Sequence, residues 1–100
     1  MFGKELIIHQ VFLHIPSGTE LILKSFGNET LLFHTASGDT LLLNPTAVPL
    51  IQNLLERPLE KQFLFEHVAE VLNYEVDESY LSHMELVLAE LIKRDIVVAQ

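Results

Sequence analysis

Cysteine is absent from the 100-residue sequence. That absence excludes disulfide bonds, thiolate nucleophiles and cysteine-held metals, and it fits a reducing cytoplasm. Long hydrophobic runs are absent too. The start, Met1-Phe2-Gly3-Lys4-Glu5, leads into only Leu6-Ile7-Ile8 before His9 and Gln10 interrupt it, which is no secretory signal. No apolar stretch approaches the roughly 20 residues of a membrane helix. The expectation is a soluble, cytoplasmic protein without a membrane partner. Basic residues are scarce: Lys plus Arg number 6 against 14 Asp plus Glu, for a net charge of −8. In residues 51–100 only Arg57, Lys61, Lys93 and Arg94 oppose Glu56, Glu60, Glu66, Glu70, Glu75, Asp77, Glu78, Glu85, Glu90 and Asp95. Nucleic-acid binding draws its affinity from Lys and Arg on phosphates, so this balance argues against DNA or RNA. It is compatible with a basic peptide or a basic protein surface.

What is present is apolar: 49% of the residues are hydrophobic, enough for one core in one domain spanning residues 1–100. Residues 5–43 carry short apolar runs punctuated by Gly, Ser, Asn and Pro, the pattern of strands. The runs predict strands at Leu6–Ile15, Glu20–Ser25, Glu29–Thr35 and Thr40–Leu43. Between them lie Pro16-Ser17-Gly18-Thr19, Phe26-Gly27-Asn28 and Ala36-Ser37-Gly38-Asp39. Glycine supplies the positive φ of tight hairpin turns, and connections this short imply an antiparallel meander. His14, Ser17, Gly18, Leu21 and Leu23 recur as His34, Ser37, Gly38, Leu41 and Leu43. Two turns of one type explain that likeness better than a duplication.

From residue 44 the period changes to three and four. A first helix is predicted over about Ala47–Glu56, capped by Asn44 or by Thr46, the latter placing Pro49 in the first turn, with Val48, Ile51, Leu54 and Leu55 facing the core. Arg57-Pro58 ends it. A second helix covers about Glu60–Asn73, with Leu64, Val68, Val71 and Leu72 as its stripe, widened by Phe63, Phe65 and Ala69. A third covers about Glu78–Arg94. Asp77 is its N-cap, and acidic Glu78 at the start with Lys93 and Arg94 at the end suit the helix dipole. Its stripe is Leu81, Met84, Leu88, Leu91 and Ile92, and Ile96-Val97-Val98 returns as a short strand. Strands first and three helices after make an α+β fold of winged-helix-like order.

No arrangement of side chains points to catalysis. His9, His14, His34, His67 and His83 form no HxH or HExxH pattern suited to a metal. His14 and His34 hold matching places before turns, where an exposed or hydrogen-bonded pair is expected rather than a metal site. His67 falls on a solvated helical face with Glu66 and Glu70. The serines lack a GxSxG context, and no glycine-rich phosphate loop is present. The reading is a non-enzyme with no catalytic residues, no cofactor and no metal.

Residues 20–55 carry a more specific pattern. Glu20-Leu21-Ile22-Leu23-Lys24-Ser25-Phe26-Gly27-Asn28-Glu29 leads to Phe33-His34-Thr35-Ala36-Ser37-Gly38-Asp39-Thr40, then Leu41-Leu42-Leu43-Asn44-Pro45 and an apolar helix. Together with the closing run Glu90-Leu91-Ile92-Lys93-Arg94-Asp95-Ile96-Val97, it resembles the PqqD-like family, most closely the branch found with kinases related to the HPr kinase. The resemblance covers most of residues 20–98, and Pro49 departs from it by standing where the family has an alanine-like helix former. It implies a peptide chaperone, or recognition element for ribosomally made peptides. Such a domain captures a precursor or leader peptide as an added strand and presents it to a modifying enzyme. It also implies a groove between Thr40–Leu43 and the third helix.

The residues agree with such a groove. Thr40-Leu41-Leu42-Leu43 is short and last in the meander, so it is an edge candidate for strand addition. On the third helix Tyr80, His83, Val87, Glu90 and Arg94 lie one step around from the core stripe. Val87 is expected to line the groove or to widen the core, while His83 and Glu90 hold polar groups of the peptide. The expected peptide-binding residues are therefore Thr40, Leu41, Leu42, Leu43, His83, Val87 and Glu90. Two alternatives stand beside this. A winged-helix nucleic-acid binder needs Arg, Lys, Asn or Gln facing base edges, where the third helix offers Glu78, Glu85 and Glu90. A homodimer would pair exposed strand edges, to which a long N-terminal strand could contribute or whose place it could take in cis.

Overall fold

Gly27 sets the first hairpin. With φ +61° it occupies the first position of a two-residue turn, and Phe26 lies opposite Glu29. This joins β2 (Leu21–Phe26) to β3 (Glu29–His34). A second turn, with Gly38 at φ +79° and its N–H on the His34 carbonyl at 2.8 Å, returns the chain as β4 (Asp39–Leu42). The structure is a computed structural model that describes residues 10–100. Residues 6–9 of the expected first strand, His9 among them, lie outside that range.

The remainder of that expected strand is short, and it does not join the meander. β1 spans Phe12–His14 only. It sits in the middle of a second sheet, between β5 (Leu59–Glu60) and β6 (Val98–Ala99). Leu13 faces Leu59 on one side and Ala99 on the other. The Phe12 and Gln100 backbones exchange two hydrogen bonds of 2.9 Å, and the Lys61 N–H donates to Val11 O at 2.8 Å. Two causes separate β1 from β2. Pro16 has no N–H to give a ladder. At the start of β2, the Glu20 carbonyl is taken by the N–H and the hydroxyl of Thr35, at 3.2 and 2.9 Å. The turn at Pro16–Thr19 does close, with the Thr19 N–H on Pro16 O and Gly18 at φ +84°, but it connects two sheets. The likeness between the two HxxSG segments therefore ends at their turns, and His14 and His34 sit in different sheets.

The helices are α1 (Ala47–Glu56), α2 (Lys61–Leu72) and α3 (Glu78–Lys93), so the fold is α+β with two antiparallel three-stranded sheets. Thr46 precedes α1 but makes no side-chain capping bond. Asn44 does that work: its Oδ1 accepts from the Thr46 N–H and its carbonyl accepts from the Ala47 N–H. Pro49 is the third helical residue, where no intrahelical bond is lost. α2 is capped by the Glu60 carboxylate, which accepts from the N–H groups of Gln62 and Phe63, each at 2.9 Å. It ends on left-handed Asn73. Asp77 Oδ1 caps α3 through the Tyr80 N–H at 2.8 Å.

One cluster of buried side chains ties the elements together. It includes Leu13 and Leu32 from the two sheets, Leu50, Ile51 and Leu54 from α1, Leu64, Phe65 and Val68 from α2, and Met84, Leu88 and Leu91 from α3, with Ile96 and Val97 behind. Leu55, Val71 and Ile92, expected in the stripes, are instead exposed. Each lies within one helical turn of a buried residue but on the flank of the stripe, which in α2 is carried by Leu64, Phe65, Val68 and Ala69.

A groove between the last hairpin strand and the third helix

β4 is an edge strand: among the described residues only β3 pairs with it. The direction of its backbone groups follows from the ladder. The Leu43 N–H donates to Thr30 O at 2.9 Å, so Thr30 and Leu43 form a hydrogen-bonded pair. Antiparallel ladders alternate, so Leu41 opposite Leu32 and Asp39 opposite His34 also point their N–H and C=O groups at β3. The groups of Thr40 and Leu42 then point the other way, to the free side. Side chains alternate as well: Leu43 is buried and Leu41 half-buried, whereas Thr40 and Leu42 are exposed.

Alongside this edge runs a groove of about 420 Å³ between β4 and α3. Six of the seven expected residues line it: Leu41, Leu42, Leu43, His83, Val87 and Glu90. Thr40 does not, although its backbone faces the same free side. Sequence reasoning did not include Leu86, Asn44 or Ala47, which also line the groove. Leu86 had a signal: an apolar residue off the core stripe, three positions after His83. It is 73% exposed and Leu42 is 61% exposed, so two leucines stand in water at the rims. Val87 does both things expected of it, packing on the core cluster and lining the groove.

The polar groups are few. His83 Nε2 lies 2.9 Å from Thr46 Oγ1, and Thr46 Oγ1 donates to Asn44 Oδ1 at 2.7 Å. This network fixes the His83 ring against the start of α1. Glu90 is not a free carboxylate: its Oε2 accepts from Arg94 Nε at 2.7 Å, an i,i+4 ion pair. Among the described residues Glu90 and Arg94 are the only Asp, Glu, Lys or Arg lining the groove, so its floor is nearly neutral in a chain of net charge −8. Tyr80, placed by helical spacing on the groove face, is buried instead. Its hydroxyl donates to Phe65 O at 2.6 Å and ties α3 to α2. Burial pushes its phenol above the ordinary tyrosine value of 10.0; a backbone hydrogen bond at Ala69 opposes the rise and the Tyr74 phenol adds to it.

Beyond His83 the groove meets a second hollow lined by Asn44, Thr46, Tyr74, Glu75, Asp77 and Ser79. Two other histidines have local partners. His34 Nδ1 bonds Ser37 Oγ at 2.8 Å, and His67 stacks on Phe63 with Glu70 3.9 Å away. Among the described residues no group of three or more His, Asp or Glu is placed to hold a metal. No described helix is long and apolar enough to cross a membrane. No protein-family model, curated protein or solved structure matches the chain.

Proposed function

We propose that the chain is a non-catalytic adaptor that captures an extended segment of a precursor peptide. The segment pairs with β4 as an added strand and is held there for a modifying enzyme. The observation that carries this reading is the outer edge of β4, unpaired among the described residues, beside an apolar groove. Strand addition needs outward backbone groups in line with side-chain pockets, and Thr40 and Leu42 supply the first while Leu86, Val87 and Leu91 supply the second.

The magnitudes favour a joint contribution. Four outward backbone groups at a net value of about 0.5–1.5 kcal/mol each give roughly 2–6 kcal/mol. Ordering a flexible peptide costs about 2–5 kcal/mol. The backbone term alone therefore nearly cancels. Covering the two rim leucines adds roughly 1–2 kcal/mol apiece, which supplies the surplus. The likeness of residues 20–98 to PqqD-like domains points the same way.

The test is titration of the isotope-labelled protein with a candidate leader peptide encoded beside it. Shift changes confined to Thr40–Leu43 and α3 are expected. Val87→Arg puts a charge into the groove and, once the variant is shown to keep its fold because Val87 also packs on the core, should abolish the changes. Unchanged binding by that folded variant removes Val87 from the site, and shift changes away from β4 and α3 refute the groove. Shifts on addition of duplex DNA would favour a nucleic-acid reading instead, although α3 presents Glu78 and Glu85 exposed to solvent. Both outer edges of the β2-β3-β4 sheet are free among the described residues, which also favours edge-to-edge pairing of two copies. A mass that rises with concentration, and a peptide that lowers it, would identify that pairing as a competitor for the same edge.

A further inference from the structure

We infer that the groove selects a peptide whose side chain donates a hydrogen bond where it passes His83, and that it rejects a carboxylate there. This inference rests on the peptide reading above and specifies the ligand of that site. It follows from a chain of obligatory donors. The Thr46 backbone N–H can only donate, and it points at Asn44 Oδ1 at 3.0 Å, so the atom at that position is the amide oxygen rather than the nitrogen. The Thr46 hydroxyl lies 2.7 Å from the same oxygen, which cannot donate, so the hydroxyl gives its one proton to Asn44. With that proton used, Thr46 Oγ1 can only accept from His83, 2.9 Å away. The neutral His83 ring therefore carries its proton on Nε2, and Nδ1 is left with a lone pair.

That lone pair is available. Among the described residues His83 Nδ1 has no hydrogen-bond partner and no buried side-chain nitrogen or oxygen lacks one, so Nδ1 is not sealed from solvent by them. His83, together with Asn44, lines both the main groove and the second hollow, so a ligand that runs from one to the other passes it. A hydroxyl, amide or ammonium group satisfies the lone pair. While the ring is neutral an Asp or Glu side chain meets lone pair against lone pair, and Glu75 and Asp77 lining the adjoining hollow add like charge against it. Thr46 is 4% exposed, so water does not readily compete for the bonds that hold the ring in this orientation.

Two measurements test the inference. Long-range nitrogen–proton correlations on the unmodified chain at neutral pH should show the imidazole proton on Nε2, and a proton on Nδ1 overturns the inference directly. Second, a display library of twelve-residue peptides, randomised throughout, is selected against the wild-type chain and against His83→Phe. Wild-type selection should enrich Ser, Thr, Asn, Gln or Lys over Asp and Glu at one position by about three- to ten-fold, the worth of one hydrogen bond. His83→Phe should lose that preference and keep the apolar positions. Identical profiles from both proteins overturn the donor inference and leave the groove reading standing. A library that yields no binder to either protein overturns both.

Discussion

The two sheets have equal numbers of strands and opposite consequences. In the β5-β1-β6 sheet the central strand is three residues long, yet both of its sides are paired and Leu13 is fully buried. In the β2-β3-β4 sheet the strands are longer and joined by tight turns, but among the described residues both outer edges are open. The first sheet is held by distant parts of the chain: residues 59–60 and 98–99 close on residues 12–14. The second is held by neighbours in sequence. The difference teaches that pairing with remote segments completes the fold, whereas the self-sufficient hairpins leave backbone groups over for something else.

The largest break in this comparison is Leu13→Ala. Removing a fully buried leucine from the closed sheet should cost about 2–5 kcal/mol, read as a fall in the denaturation midpoint. A pair of proline substitutions sharpens the contrast on the open sheet. Leu41→Pro removes an N–H that faces β3 and should destabilise the chain by about 1 kcal/mol or more beyond Thr40→Pro, whose lost N–H faces outward. Thr40→Pro should nonetheless weaken peptide capture. Equal stabilities for the two variants would show that the ladder phase deduced from Leu43 and Thr30 is wrong.

A smaller effect concerns the wall behind the open edge. Tyr80→Phe removes the bond to Phe65 O and should cost about 1 kcal/mol. The Tyr80 proton is held more tightly in the folded state than in the unfolded chain. Its contribution is therefore present in full below the ordinary value of 10.0 and is lost as pH rises through the higher folded value. The wild type should lose stability with rising alkaline pH more steeply than Tyr80→Phe. Parallel alkaline profiles for the two proteins would remove burial of the phenol as the cause.

The helices were legible because their apolar spacing and the Asp77 cap act within a few residues of sequence. The hairpins were legible for the same reason, through Gly27 and Gly38. The position of β1 was not, because its two partners are strands of two residues each, too short to show a period. The groove lining was readable where it followed from an edge strand and a helix repeat, at Leu42, His83, Val87 and Glu90. The state of those groups was not. Nothing in residues 83–94 signals that Thr46, 37 positions away, holds the His83 ring. The burial of Tyr80 also depends on a carbonyl of α2 that no local pattern reveals.

Glu60 stands at a junction whose consequence reaches beyond the strand it ends. Its backbone lies opposite Phe12, and its carboxylate gathers the first free N–H groups of α2. Strand and helix meet there with no spacer to absorb strain. A tug on the chain ahead of Val11 would be passed straight to the opening turn of α2, so detaching β1 and fraying that turn should behave as one mechanical event.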